Sequence, residues 1–440
     1  MTQNKEIFKI RRQNFLKKLK NNSVTIIPAN IYQIKNRNIN FNFRQGNNFY
    51  YLTEFPEPDA ILVLIKSDNI DNLGIGQSLL FCNPKNPIIE QWEGEICGSH
   101  NAKTNYGFDA AFDLGDFENK LTNILKNNDN LYYSIGQNHK LDCKIIKTLN
   151  KLKYKDRSGI TVPDNILSYE NILGEMRLIK SDFEINQMQK AADISVLGHI
   201  KAMQSVKHCK SEQQLYAELI REFYFNGAGG EAYPAIVASH KNACILHYTD
   251  NNQSLVKDSL VLIDAGCEYN NYASDITRTF PVSGKFNQNQ LYIYQLVLDA
   301  QLAGIEQIYP GNSWINAQKA IVEVLVTGLV KLGILNGKIS KLIEQELYKP
   351  YYMHSSGHFL GLDTHDVGAY KVENKWRKLE AGMVLTVEPG LYLSDYIKSL
   401  DSKWHNIGVR IEDDILVTEK GWKVLSNNLP KQVEDIYNLM

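Results

Sequence analysis

Two hydrophobic periods alternate along this chain, and their order predicts its architecture. In the second half the helical period is clear. Ser181 and Glu184 form an S-x-x-E cap ahead of Ile185, Met188 and Ile194. Ser211 and Gln214 repeat the device before Leu215, Leu219, Ile220 and Phe223, and Gly227, Gly229 and Gly230 end that helix. Strand-like YPAIVAS and ACILHY come next, then LVLIDAGCEYNNYASDITRTFPV over residues 260–282. Asn287 opens a helix that stops at Pro310 and Gly311, and Ser313 opens another that ends at Asn336 and Gly337. A short helix over 340–348 precedes the glycine-punctuated PYYMHSSGHFLGLDTHDVG, and strand-like MVLTVEPGLYL and IGVRIEDDILVTEKGW follow. Two helices and then strands, twice over, predict two α+β halves whose sheets face one another.

The first 170 residues are patterned differently. An amphipathic helix, MTQNKEIFKIRRQNFLKKLKNN, leads into short strand-like runs: VTIIPAN, NNFYYLTEF, DAILVLI and QSLLFCNP. Helices over 117–126 and 142–152 follow, with strand-like LYYSIG between them. This alternation predicts a self-contained α/β domain over residues 1–172, with turn signals over 157–171 marking a linker, and a second domain over 173–440. Arg37 and Arg44 flank aromatic residues in a run that reads as a strand with a solvated edge. Trp92 reads as an aromatic among acids on a loop.

Composition changes the picture mainly by exclusion. A chain of 440 residues, 43% hydrophobic and 22% charged, is long enough for two or three domains that each bury a core. Its net charge of −1 lacks the basic surplus that nucleic acid demands. Six cysteines are scattered without a C-x-x-C spacing, which fits a reduced cytoplasmic protein. The N-terminal stretch has no continuous apolar core, so secretory export is not expected. The longest apolar stretch, residues 321–335, is interrupted by Glu323 and Lys331 and is too short to span a bilayer.

The chemistry lies where apolar strands end in acids. Residues 260–282 read as one β-hairpin carrying Asp264 and Asp275, with a turn rich in asparagine, which tolerates positive φ. A turn centred between Tyr269 and Asn270 sets the two aspartates directly opposite; one centred between Asn270 and Asn271 makes them diagonal neighbours. Either register keeps them within about 4.5–8 Å. In the last strand, period-two alternation puts Arg410, Glu412 and Asp414 on one face. Glu388 ends VLTVEP, and His247, His354, His358 and His365 fall near the other strand ends. Singly, each residue has an ordinary structural explanation as a turn, a cap or a solvated edge. Together, acids at the ends of apolar strands are costly unless paired or metal-bound. Four carboxylates and a histidine form a hard, oxygen-rich set that favours Mn²⁺, Mg²⁺ or Fe²⁺, and four carboxylates balance two divalent ions, whose chemistry is hydrolysis.

The ordered set DAGCEYNNYASDITRTFPV, MHSSGHFLGLDTHDVG, LTVEPGLY and GVRIEDD resembles the pita-bread metallopeptidases, and within them the Xaa-Pro aminopeptidases. RQGNNFYYLTEFPEPDAILVLI extends the resemblance to that family's N-terminal domain. The resemblance implies a pita-bread catalytic domain of two pseudo-symmetric halves behind a smaller α/β domain. It implies two divalent ions, Mn²⁺ first among them. Asp264 binds one, Asp275 and Glu412 bridge both, and His358 and Glu388 complete the other. It makes His247, His354 and His365 substrate-positioning histidines, Glu388 also the proton shuttle, and Arg410 the partner that steadies a ligand carboxylate. The implied reaction is attack of a metal-bridging hydroxide on the carbonyl of an N-terminal X-Pro bond. The implied assembly is a homo-oligomer, dimer or tetramer, in which Trp92 stands where the family lends an aromatic to a neighbouring subunit. The nearest alternative is prolidase, an X-Pro dipeptidase on the same fold. A metal-free binding protein of that fold, and creatinase-like chemistry, are the others.

Overall fold

The computed structural model describes residues 4–66, 78–154 and 159–440. The first three residues of the opening helix, Gln77 of the fourth strand-like run, and Arg157 and Ser158 of the expected linker lie outside them. The chain divides into two compact units, Met1–Met176 and Arg177–Met440.

In the first unit a six-stranded sheet runs in the order Ala110–Asp113, Ser78–Cys82, Ile61–Lys66, Ser23–Pro28, Asn130–Tyr132, Asn165–Leu167. Helices Phe117–Leu125 and His139–Lys153 cover it, burying Leu121, Leu125, Leu141, Ile145 and Leu149 against Val24, Val63 and Phe81. Three expectations change here. NNFYYLTEF is a helix, Asn47–Thr53, rather than a strand. Phe49, Tyr50, Tyr51 and Leu52 are all buried, and an element buried on every side erases the period that separates helix from strand. Residues 165–167, read as linker, instead supply the edge strand of the sheet. Trp92 stands on a helix, Pro87–Glu93, capped by the Asn86 side chain and started by proline.

The second unit repeats one plan twice. Helices Asp182–Ser205 and Glu212–Phe225 pack together and precede one long hairpin; helices Gln288–Ile305 and Trp314–Lys331 do the same before another. The predicted caps form: Glu184 reaches back to the Ser181 N–H, and Gln290 to that of Asn287. The Trp314–Lys331 helix stops short of the expected Asn336 because Gly333, at φ 70°, turns the chain after Leu332.

Each hairpin is interrupted in the middle. In the first, Leu260–Asp264 pairs with Thr277–Pro281 and, beyond a break, Cys267–Tyr269 pairs with Tyr272–Ala273. In the second, Val384–Val387 pairs with Asp413–Thr418 and, beyond a break, Gly390–Leu393 pairs with Ile407–Arg410. The register runs unchanged through both interruptions, and the acids of interest sit in or beside them. The expected last strand is therefore two strands, with Ile411 and Glu412 in the gap. Gly266 allows the first break, since a Cβ there would meet the Ser274 carbonyl oxygen at 1.7 Å.

The halves are stitched together along these breaks. Glu412 N–H donates to the Thr277 carbonyl at 3.1 Å, and the Thr279 hydroxyl donates to that of Arg410 at 3.0 Å. Beside them lies a fully buried ion pair, Arg278 Nη2 to Asp413 Oδ1 at 2.7 Å. Arg278 also donates to the carbonyls of Glu412, Leu429 and Pro430, while Asp413 accepts from Gln301, Ser426 and Lys431. Its carboxyl is held well below the usual range: burial works against ionisation, and Arg278 and Lys431 outweigh it. Replacing Asp413 by alanine leaves a buried guanidinium without its counter-charge. We expect a cost of about 3–5 kcal/mol, read as a melting temperature lower by about 10 °C; an unchanged melt would show that this joint contributes nothing.

Candidate metal centre

The first-hairpin turn is centred between Asn270 and Asn271, with φ of 49° and 64°, as a type I′ turn requires. Asp264 therefore stands opposite Thr277, and Asp275 is its diagonal neighbour. This is the second of the two registers the sequence allowed. In the other hairpin the register carried through the break sets Glu388 opposite Glu412. All four carboxylates line one cavity of about 1100 Å³, together with Arg410, His247, His354, His358 and His365.

Asp275, His358 and Glu412 each present a donor atom, all within 4.8 Å of one another. His358 Nε2 lies 3.3 Å from Asp275 Oδ2 and 3.7 Å from Glu388 Oε1. Its Nδ1 donates to the Phe359 carbonyl at 3.0 Å, which turns Nε2 toward the acids, the tautomer and aim a metal needs. Asp264 joins the cluster through Tyr233, whose hydroxyl reaches Asp264 Oδ1 at 2.7 Å and Asp275 Oδ1 at 2.5 Å. Glu412 accepts from the Thr277 hydroxyl at 2.6 Å. Gly357 brings His358 beside Thr386: a Cβ there would stand 2.0 Å from the Thr386 carbonyl oxygen, and Thr386 Oγ1 accepts from His358 N–H.

These four carboxylates thus have Arg410 and His358 as their cationic partners. Burial first, and then the neighbouring acids, push the Glu412 carboxyl far above its ordinary value. Burial likewise raises Asp275, and raises Glu388 to about 7. His358 goes up to about 9, because Asp275 outweighs the burial that would neutralise the ring. Such a cluster has more negative charge than its protein partners balance, and its hard oxygen donors with one nitrogen suit divalent cations.

Arg410 spans the site. It donates to Asp264 Oδ2 at 2.6 Å, to the Tyr392 hydroxyl at 2.8 Å and to Thr277 Oγ1 at 3.2 Å. The Tyr392 hydroxyl lies 2.8 Å from His354 Nε2, and His354 Nδ1 donates to the Ser355 carbonyl. Burial, then the charge of Arg410, lowers His354 to about 4, so it is a neutral ring that accepts from tyrosine. His365 meets His358 edge to face, 4.3 Å between ring centres, and is lowered by burial and by that neighbour. Its loop is pinned by Asp366, whose carboxylate takes Arg177 at 2.5 Å and Lys180 at 2.9 Å, all three buried.

Asp414, two residues after Glu412, lies outside the cavity lining and accepts the Asp275 N–H at 3.2 Å. One expectation about these residues changes. ACILHY is not a strand. His240–Cys244 is a 3₁₀ turn, and His247 reaches the cavity from the loop after it. Tyr233, Thr277 and Tyr392 were not legible as site residues. Tyr233 lies 31 residues from Asp264, and only the fold joins them.

A model of metallopeptidase family M24 matches residues 186–419, and one of the aminopeptidase P N-terminal domain matches residues 8–132. The Xaa-Pro aminopeptidase of Haemophilus influenzae is 42% identical over 436 residues, covering 99% of this chain and 97% of that protein. Among solved structures, Pseudomonas aeruginosa aminopeptidase PepP superposes with a TM-score of 0.95 at 42% identity, covering 99% of this chain and 98% of that one. Escherichia coli aminopeptidase P with the inhibitor Pro-Leu gives 0.94 at 39% identity, covering 99% and 98%. The chain belongs to metallopeptidase family M24, among its Xaa-Pro aminopeptidases. Its fold is theirs: an aminopeptidase P N-terminal domain followed by a pita-bread domain of two pseudo-symmetric halves.

The electrostatics give a test of the cation set. Glu388 is held near 7 in the folded chain against an ordinary 4.5, so the fold keeps a proton that the unfolded chain releases in between. With cations chelated, this group's contribution to stability is full below about pH 4.5 and is lost as pH rises through about 7. Cation binding needs the free carboxylate, so the stabilisation by added Mn²⁺ grows over the same window. Melts with chelator and with Mn²⁺ should diverge as pH is raised; a constant gap would place Glu388 outside the cation set.

Proposed function

We propose that this protein is a metal-dependent Xaa-Pro aminopeptidase that releases the N-terminal residue from peptides with proline second. The observation that carries the reading is the convergence of Asp264, Asp275, His358, Glu388 and Glu412 on one cavity, in a chain similar over its whole length to enzymes of that name. Two divalent cations, Mn²⁺ first among those that suit the donors, would be held by these five residues and would supply Lewis acidity at the X–Pro carbonyl and a more acidic water. Asp264 would serve one ion, His358 and Glu388 the other, and Asp275 and Glu412 would serve both.

The protein's own groups do the rest. The substrate's free amine pairs with carboxylates near Asp264, which restricts cleavage to the chain end. His365 and His247 donate toward the carbonyl oxygen as negative charge develops on it. Glu388, at the end of its strand and on the cavity wall, carries the proton to the prolyl nitrogen. Arg410 holds Asp264 in place, and His354, kept neutral by burial and by Arg410, is oriented by Tyr392. A tertiary X–Pro amide has no N–H to recognise, so its ring must be read by apolar surface; Trp314, Tyr370 and Trp376 offer it.

The cavity volume, about 1100 Å³, exceeds the roughly 300–1,000 Å³ typical of small-ligand sites and leaves room beyond the proline. That favours a longer peptide over a dipeptide. We place the enzyme in the cytoplasm on its six unpaired thiols, and among the described residues no helix is long and apolar enough to cross a membrane. We also propose a homo-oligomer, dimer or tetramer, because Trp92, 83% exposed, projects beside the exposed Ile88 and Ile89 on one short helix. The functional division follows the expected domains, 1–172 and 173–440.

An X-Pro-Y peptide series should be cleaved after the first residue with Mn²⁺ and not with chelator. Activity confined to X-Pro dipeptides would make the protein a prolidase instead. Asp275→Ala should lose bound metal and fall to background; retention of both would refute the assignment.

A further inference from the structure

Glu212 lies outside the cavity and is fully buried, the first residue of the Glu212–Phe225 helix. Its carboxylate accepts four hydrogen bonds, all from residues 239–253. Oε1 takes the Ser239 N–H at 2.8 Å and the Asn242 side-chain amide at 3.0 Å. Oε2 takes the Tyr248 hydroxyl at 2.7 Å and the Gln253 N–H at 2.9 Å. A fifth bond runs the other way, from Glu212 N–H to the Gln253 carbonyl at 2.9 Å.

Those partners bracket the segment that presents Leu246, His247 and Thr249 to the cavity. Among the described residues nothing hydrogen-bonds the His247 ring, so its place is set by the course of its backbone. That course is held at both ends and at Tyr248, the next residue, by one side chain. Asn251, which bonds the Val237 N–H and the Ala235 carbonyl, is a further polar anchor at the far end, and Ala243 and Tyr248 also pack in a buried cluster with Leu262 and Tyr392. We infer that Glu212 is the positioning residue for His247: it fixes where the imidazole meets the substrate without touching substrate itself. The inference rests on the reading of His247 as a substrate-contacting group.

Glutamine is the sharpest probe, because it keeps shape and volume but turns one acceptor oxygen into a donor facing two donors. Tyr248→Phe removes one of the four bonds and leaves the carboxylate, as a milder variant should Glu212→Gln fold poorly. Full-length, Mn²⁺-loaded enzyme would be assayed on an X-Pro-Y peptide as wild type, Glu212→Gln, Tyr248→Phe, His247→Ala and each double variant with His247→Ala. Bound metal and amide exchange over residues 240–253 would be read alongside. We expect Glu212→Gln to keep its metal, lose exchange protection in that segment and lower kcat/KM by about 10- to 100-fold, with Tyr248→Phe losing less. In the His247→Ala background the same changes should cost less than about threefold, since the group they position is gone. Losses that multiply in the double variants would overturn the proposal, as would a Glu212→Gln enzyme that is fully active. If His247→Ala alone is harmless while Glu212→Gln is not, the fault lies in the role given to His247, and the activity of the enzyme itself is untouched by that result.

Discussion

The catalytic half of this molecule depends on a seam between two hairpins. Neither hairpin closes a cation site alone: Asp264 and Asp275 come from one, Glu388 and Glu412 from the other. They meet because Glu412 takes the Thr277 backbone as its hydrogen-bonding partner, and because Arg278 and Asp413 bury opposite charges just behind that contact. A buried pair rarely adds net stability, since desolvation offsets most of the attraction. Its value here is directional. Arg278 has five donors in a fixed plane and reaches Glu412, Asp413, Leu429 and Pro430, which allows only one alignment of the halves.

The interruptions in the hairpins serve the same end. A regular ladder would use up the backbone around each acid and alternate its side chains away from the cavity. Where the ladder stops, the backbone turns outward and side-chain hydroxyls take over: Thr277 on Glu412, Thr386 near Glu388, Tyr233 across Asp264 and Asp275. These donors hold the carboxylates at a spacing their own repulsion resists. Among the described residues Arg410 contributes the only guanidinium on the cavity wall, and through Tyr392 the same side chain also orients His354.

Much of this was legible in the sequence, and the limits are physical. Asp264 and Asp275 could be placed together because strand period and turn length constrain a hairpin locally, and the caps at Ser181 and Asn287 are likewise local. Glu388 and Glu412 were legible as acids ending apolar runs, and the repeated plan with facing sheets suggested their meeting with the first pair; the family resemblance added the role of each. Two segments misled. NNFYYLTEF, with Phe49, Tyr50, Tyr51 and Leu52 all buried, shows no clear period, and ACILHY has strand composition yet bends to deliver His247. Groups far in sequence from the acids, and without a motif of their own, left no trace. Tyr233 belongs to an ordinary Tyr-Pro step, and Glu212 reads as the first-turn acid of a helix, a role it also fills.

The turn at Asn270 and Asn271 makes chain length itself a functional quantity. Both residues hold a left-handed backbone that closes the hairpin with two residues and no slack. A substitution there costs some stability and leaves Asp275 on its face. One residue inserted or deleted between Asp264 and Asp275 slips the register by a step and swings every later side chain of that arm to the opposite face. In this hairpin, length between the aspartates is therefore under tighter constraint than composition, and its history should be one of replacements without gaps.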